Sequence, residues 1–340
     1  MSQTFAGLPG GLVLDGSAIA RASVNIALIK YWGKAPARGP SDANLPACPS
    51  LSLTLDGLYS ETRARFSPDA PDDAVVLDGV ALTGAGLDRM RPVLDRVREL
   101  AEVASPFHID TTNTVPTAAG LASSASGAAA LAAATARCAG LQLSLGELSA
   151  IARLGSGSGS RSVFEGWAAW DGPQARQLYG ADHWDLVIVV ALVSKAKKAI
   201  SSRQAMKQTA ATSPLYAPWV ETAQVAFDEA LHALEVRDLE ALIAAMETST
   251  MRMHASAMGA RPPILYWKPA SLAAIEVVHG LRAEGTLCGW TMDAGPNVKV
   301  LCSASDAAVV AAALSEIDGV EATFTCKPGA GVSIHTDEGA

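Results

Sequence analysis

Residues 18–30 alternate apolar and polar positions, with Val24, Ile26, Leu28 and Ile29 marking the period of a strand. After Tyr31-Trp32-Gly33-Lys34 comes a loop rich in Pro, Gly, Ser and Asp, and Ser50-Leu51-Ser52-Leu53-Thr54-Leu55 then forms a strand with leucine on one face. Residues 61–66 predict its hairpin-like partner. Met90, Val93, Leu94, Val97 and Leu100 fall at helical spacing with charges between them, so residues 88–104 read as an amphipathic helix. A short strand over 107–113 leads into a small-residue loop, Thr114 to Gly127, which opens an alanine-rich run read as a buried helix over about 124–139. A second helix over 144–154 precedes Gly155-Ser156-Gly157-Ser158-Gly159-Ser160-Arg161-Ser162 and the aromatics Phe164, Trp167 and Trp170. Residues 187–192 are wholly apolar and predict a buried strand.

The second half predicts helices over 218–234 and 238–257, a break at Pro262-Pro263, and a helix over 271–284. A turn over 291–297, a strand over 298–302, a helix over 305–317 and a strand near 321–326 complete a β-α-β unit. No repeat is visible. Strands with helices in both halves, and hairpin-like pairing early, predict an α+β fold rather than a doubly wound one. The basic crossing Lys195-Ala196-Lys197-Lys198-Ala199-Ile200-Ser201-Ser202-Arg203 predicts a division into two domains, 1–195 and 196–340.

Hydrophobic residues at 49% and charged ones at 18% of 340 residues allow a large core. The net charge of -8 excludes general nucleic-acid binding, while a few local Lys and Arg still permit an anionic small substrate. Five cysteines without Cys-x-x-Cys spacing point to reduced thiols in the cytoplasm, with neither a disulfide framework nor a zinc site, and the histidines show no metal-ligand pattern. The first residues lack the basic start and apolar core of a signal peptide. The uncharged stretch 111–136 is built from small residues with Pro116 inside it, which predicts a buried helix and no membrane partner.

Four segments carry candidate chemistry. Gly120 lets backbone amides approach a ligand, and Ser123 and Ser124 fall in a first helical turn that favours an anion; close helix packing explains the same small residues. The Gly-Lys-Ser/Thr ending of a Walker A loop is missing. Lys30 and Lys34 flank Tyr31 and Trp32 as cation sites or as a solvated edge. The Gly-Ser run with Arg161 is either a linker or an anion clamp. Asp293 is either a turn residue or a general base. Together these make the inventory of phosphoryl transfer on an anionic substrate, where catalysis is positioning plus charge stabilisation.

Pro116-Thr117-Ala118-Ala119-Gly120-Leu121-Ala122-Ser123-Ser124-Ala125 resembles the phosphate loop of the galactokinase, homoserine kinase, mevalonate kinase and phosphomevalonate kinase (GHMP) superfamily. Asn25-Ile26-Ala27-Leu28-Ile29-Lys30-Tyr31-Trp32-Gly33-Lys34 is similar to the signature of one of its families, the diphosphomevalonate decarboxylases. Gly155 to Ser162, Ser201-Ser202-Arg203 with Met206, and Met292-Asp293-Ala294-Gly295-Pro296-Asn297 follow in the family's order, so the resemblance spans residues 20–300. It implies a two-domain GHMP-kinase-type fold, mixed sheets with helices on one face, and a cleft between the domains. It implies ATP-dependent decarboxylation of mevalonate 5-diphosphate to isopentenyl diphosphate through transient 3-phosphorylation, with ATP and Mg2+, in a cytoplasmic homodimer. Asp293 would orient or deprotonate the 3-hydroxyl; Arg161 with Asn25 would hold the carboxylate end, and Lys30 would support developing charge. Tyr31, Lys34, Ser156, Gly157, Ser158 and Arg203 would bind the diphosphate. Ala119, Gly120, Leu121, Ala122, Ser123 and Ser124 would cradle the ATP phosphates. Alternatives of the same fold are a decarboxylase of the monophosphate and a mevalonate 3-kinase; a ligand sensor without turnover is a third. Pro46-Ala47-Cys48-Pro49-Ser50 replaces a segment in which the family carries an Asn, which puts any ligand contact there in doubt, and Ser23 stands where proline is common.

Overall fold

The computed structural model describes residues 17–114, 123–196 and 200–335. Strand β1 (Ala18–Ile29) pairs antiparallel with β2 (Ser50–Phe66), whose 17 residues join the two segments expected as a hairpin into one strand. The chain does not reverse because the irregularity between them is a bulge: Thr54 lies opposite Asn25 and Tyr59 opposite Ser23, and Gly57 absorbs the excess at φ 78°. β5 (Phe107–Asn113) pairs antiparallel with the second half of β2, and β3 (Ala74–Leu77), itself joined to β4 (Val80–Ala81), runs parallel to β5. β6 (Trp167–Trp170) pairs with the first half of β2 and then with β7 (Ala175–Tyr179). This mixed sheet of eight strands is completed by β12 (Ser333–His335), which returns the end of the described chain to β1.

Helices α1 (Arg91–Ala101), α2 (Ser123–Cys138) and α3 (Leu145–Gly155) share one core with Ala18, Ala20 and Ala22 of β1. The alanines of α2 are all buried, because small side chains let the helix lie close to the sheet and to its neighbours. Gly159 shows how close: a Cβ there would lie 2.9 Å from Ala128 Cβ and 3.1 Å from the Ala125 carbonyl oxygen. The Gly-Ser run is therefore no flexible linker. It forms a 3₁₀ stretch, Gly157–Val163, with Gly159, Ser160, Arg161 and Ser162 buried against α2.

The smaller sheet has the order β11 (Ala322–Cys326), β8 (Leu186–Leu192), β10 (Val298–Ser303), β9 (Cys288–Met292) and is antiparallel throughout. Every residue of β8 is buried because the strand is covered on both faces. Ile188 and Val190 join the core of α5 (Tyr216–Val236) and α6 (Leu239–Met258), while Val187 and Val189 join that of α7 (Pro269–Ala283) and α8 (Ala307–Ser315). The first of these cores also takes in Ile26, Leu28, Leu51 and Leu53 of the larger sheet, so the two halves meet over apolar surface. Part of the expected basic crossing is helical: α4 (Ser202–Thr212) starts from a capping box of Ser201 with Gln204. Lys197 and Lys198 lie outside the described residues. Sheet membership favours a division of the chain between β7 and β8, with β12 crossing back, over a boundary near residue 195. Among the described residues no helix is long and apolar enough to cross a membrane.

Candidate active site

The ends of β1 and β9 meet through their charges. Lys30 follows the last residue of β1, and its Nζ donates to the Ala27 carbonyl oxygen at 2.8 Å and to Asp293 Oδ1 at 2.8 Å. Its backbone N–H donates to Ser249 Oγ of α6. Asp293 follows β9; its carbonyl accepts from Gly295 N–H, and Asn297 Oδ1 ties the turn down by accepting from the Val193 and Ser194 amides. The Asp293 carboxylate faces two ammonium groups rather than the turn's own amides, for Lys299 Nζ lies 3.1 Å from Oδ2. Burial pushes the Asp293 carboxyl up, but Lys299 and Lys30 overcome this and hold it well below the usual carboxylate range. Burial lowers Lys30 to about 8 against the opposing pull of Asp293. Both groups are therefore charged at neutral pH.

Arg161 lies on the buried 3₁₀ stretch, where its Nη1 donates to Ser50 Oγ at 2.7 Å and its guanidinium sits 5.8 Å from the Trp170 ring. Burial lowers it to about 10, so it stays cationic. Asn25 Nδ2 donates to Ser162 Oγ at 2.7 Å and to the Ser158 carbonyl at 3.1 Å. Tyr31 packs on Trp170, ring centroids 4.7 Å apart, and Gly157 lies against it so closely that a Cβ would stand 2.7 Å from the phenol oxygen. Lys34 Nζ donates to Asn44 Oδ1, Arg203 Nη2 donates to the Gly155 carbonyl, and Ser156 and Ser158 hydroxyls sit 3.4 Å apart. Burial lowers Lys34 to about 8, with Arg203 adding repulsion.

One cavity of about 590 Å³ brings these groups together, within the range of small-molecule sites. Asn25, Lys30, Arg161 and Asp293 line it; so do Tyr31, Lys34, Arg203 and the Ser156-Gly157-Ser158 run. Ser123 and Ser124, in the first turn of α2, form another part of its wall. Ala119, Gly120, Leu121 and Ala122 lie outside the described residues. Among the described residues, Lys34, Arg89, Arg161 and Arg203 have no carboxylate partner within ion-pair distance, although the protein carries a net charge of -8. Asn25 Oδ1, Tyr31 OH and Arg161 Nε are buried with no hydrogen-bond partner. Uncompensated cations and the orphaned donors of Tyr31 and Arg161 in one cleft point to an anionic ligand that completes them, and the Asn25 oxygen adds an acceptor for a ligand hydroxyl.

Three contributors escaped the reading of the sequence. Lys299 sits within the apolar strand Val298-Lys299-Val300-Leu301, where a lone lysine just beyond the Asp293 turn was the available signal. Arg89, in a 3₁₀ turn before α1, lines the same cavity, as does Asn44, which holds Lys34 while donating to the Arg153 and Leu154 carbonyls. No local pattern marks either. Cys48 lies behind the first motif: its Sγ is 3.9 Å and 4.0 Å from the Lys30 and Trp32 carbonyls, and burial pushes the thiol up to about 11. It packs the loop rather than lining the cavity.

Two family models match the chain: a diphosphomevalonate decarboxylase-like N-terminal domain over residues 22–179 and a mevalonate 5-diphosphate decarboxylase C-terminal domain over residues 188–328. A diphosphomevalonate decarboxylase of Aspergillus fumigatus is 37% identical over 328 residues, covering 88% of this chain and 80% of that protein. A solved structure of the mevalonate diphosphate decarboxylase from Enterococcus faecalis superposes with a TM-score of 0.85 at 38% identity, covering 94% of this chain and 99% of that one. Another solved structure, in complex with MVAPP, AMPPCP and magnesium, gives a TM-score of 0.86 at 37% identity over 94% and 99% of the two chains.

Proposed function

The chain belongs to the mevalonate 5-diphosphate decarboxylase family, and we propose that it performs that family's reaction in the cleft described above, with the roles assigned below. In this reaction the tertiary 3-hydroxyl loses its proton and takes the γ-phosphoryl group of ATP, releasing ADP. Phosphate then leaves with the C–O electrons, and the electron pair freed as CO2 departs forms the alkene of isopentenyl diphosphate.

Asp293 lines the same cavity as both sets of anion-binding residues, and its assigned role is to orient the hydroxyl and receive or relay its proton. Lys30 holds that carboxylate and offsets negative charge as the phosphoryl group moves. Arg161, braced by Ser50, and Asn25, braced by Ser162, face the substrate's carboxylate end. Tyr31, Lys34, Arg203 and the Ser156-Gly157-Ser158 run take the diphosphate, with Arg89 supplying a further cation. Ser123 and Ser124, in the first turn of α2, take the ATP phosphates, with Ala119 to Ala122, which precede them in the sequence, assigned to the same role.

Among the described residues no group of three or more His, Cys, Asp or Glu converges as a metal cage. Magnesium favours one or two protein oxygens with phosphate oxygens and water, so the Ser123 and Ser124 hydroxyls, on the wall assigned to the ATP phosphates, fit it. When bound, Mg2+ neutralises phosphate charge and polarises the group being transferred.

The cluster of Lys34, Arg89, Arg161 and Arg203 without counter-carboxylates carries this reading, and it favours two substrate phosphates over one. We also place the protein in the cytoplasm, supported by five free, buried thiols, and read it as the homodimer that the family resemblance implies. A coupled assay for ADP and CO2 with mevalonate, its 5-phosphate and its 5-diphosphate tests the function. ADP and CO2 in equal amounts from the diphosphate is the expected result; ADP without CO2 would make the chain a kinase.

A further inference from the structure

The two oxygens of Asp293 are not equivalent. Oδ2 is buried and held by an ion pair alone, with Lys299 Nζ 3.1 Å away but not aligned as a hydrogen bond, whereas Oδ1 accepts a hydrogen bond from Lys30 Nζ at 2.8 Å. Lys30 lines the cleft; Lys299 does not, its side chain being 0% exposed. The Asp293 side chain is 27% exposed, and with Oδ2 buried its Oδ1 is the oxygen that meets the cleft.

The strand that carries Lys299 shows that its charge is not a packing accident. Val298, Val300 and Cys302 join the core of α7 and α8, while Leu301 joins the core shared with α6 and the larger sheet. Lys299 alternates with the first set, so it stands on the side facing Lys30 and Asp293. An apolar residue would fill that position without the penalty of a buried ammonium. Lys299 is paired in register with Thr291, whose hydroxyl meets Thr250 of α6 at 2.8 Å, so its backbone is fixed on a packed framework.

We propose that Lys299 is a positioning residue which anchors Oδ2 of Asp293 from behind, so that Oδ1 and Lys30 Nζ present a fixed pair to the reacting hydroxyl. This rests on the function proposed above. The groups facing Lys30 are Asp293 after β9, Lys299 on β10, Arg161 on the 3₁₀ stretch and His254 on α6. Burial pushes His254 down to about 3, so it is neutral there and contributes no charge. Lys299 and Arg161 both repel the protonated Lys30, so removing the Lys299 charge raises the Lys30 midpoint.

The test uses full-length K299M and K299R with two readouts, a titration of Lys30 by NMR of 13C-labelled lysine and steady-state kinetics across pH. In K299M the Lys30 midpoint should rise by on the order of one unit, and the alkaline limb of kcat/KM should become less steep, because Lys34 still titrates at about 8. Turnover should fall by on the order of 100-fold while the KM for mevalonate 5-diphosphate stays within about threefold, with K299R recovering much of the loss. An unmoved Lys30 midpoint, or K299M turnover within about threefold of wild type, would overturn the proposal. Should K299M fail to fold, K299L, which likewise has neither charge nor donor toward Oδ2, carries the same two readouts. If the wild-type protein turned over none of the three substrates, the functional reading would fail, and the Lys30 titration would still decide the role of Lys299.

Discussion

Replacing Asp293 with Asn keeps the shape of the turn but removes the anion between two ammonium groups whose side chains are 2% and 0% exposed. Breaking a buried pair by deleting one partner costs about 3–5 kcal/mol. Unfolding entropy of about 2.1 cal/mol/K per residue gives roughly 0.7 kcal/mol/K for 340 residues, so the melting temperature should fall by about 4–7 °C at neutral pH. The deficit also has a pH dependence. Lys30 titrates at about 8 when folded against an ordinary 10.5, and Asp293 is the group that raises it, so losing Asp293 lowers it further. A lysine with a lowered folded pKa binds fewer protons in the folded state, and stability rises with pH from the folded to the unfolded value. The variant enters that rise at lower pH than the wild type. The gap between their melting temperatures should therefore shrink as pH climbs toward 8 and stay constant above it. Turnover should drop by on the order of 10³–10⁴, with substrate affinity changed little. Calorimetric melts at several pH values, with ADP release measured on the same samples, check both. A variant within about tenfold of wild-type turnover, or a deficit that is flat as pH approaches 8, would refute the reasoning.

Arg161→Ala should lower kcat and raise KM together, because the guanidinium both faces the ligand and leans on Ser50 at 2.7 Å. Arg161→Lys should restore little of either, since an ammonium lacks the planar fork; full recovery in steady-state kinetics would count against this. Gly157→Ala should raise the KM for the diphosphate substrate, because its Cβ would stand 2.7 Å from Tyr31 OH and the ring is held against Trp170. The overpacking should cost about 1–3 kcal/mol in a denaturation experiment, and an unchanged KM would show that Tyr31 yields freely. In the wild type, kcat/KM should fall as pH rises through about 8, where Lys30 and Lys34 lose their protons in the free enzyme. A profile that stays flat well beyond that value would mean that neither charge is needed.

Much of the site could be read from the sequence because its residues sit in short runs of unusual composition. Lys30, Tyr31 and Lys34 follow one strand, Ser156 to Arg161 form one turn, and Asp293 opens a Gly-Pro bend, so each run announced itself locally. Lys299 did not, because a buried lysine in a strand is indistinguishable from an exposed one until its facing carboxylate is known. The same limit applies to β2: Leu51, Leu53 and Leu55 show the period, but the partner that keeps residues 50–66 in one strand is β1, far away in sequence. The start of α4 was masked by its own cap, since Ser201 and Ser202 beside Arg203 look like loop until Gln204 closes the capping box. The small-residue segment before α2, read either as close packing or as an anion cradle, lies mostly outside the described residues; within α2 the alanines are buried, and Ser123 and Ser124 stand at the cleft wall.

A crystal structure of this protein with mevalonate 5-diphosphate and a non-hydrolysable ATP analogue measures the geometry on which everything else depends. The expected result places the 3-hydroxyl within hydrogen-bonding distance of Asp293 Oδ1, the diphosphate against Tyr31, Lys34 and Arg203, and the nucleotide phosphates at Ser123 and Ser124. A diphosphate bound away from those cations, or a hydroxyl out of reach of Asp293, would contradict it.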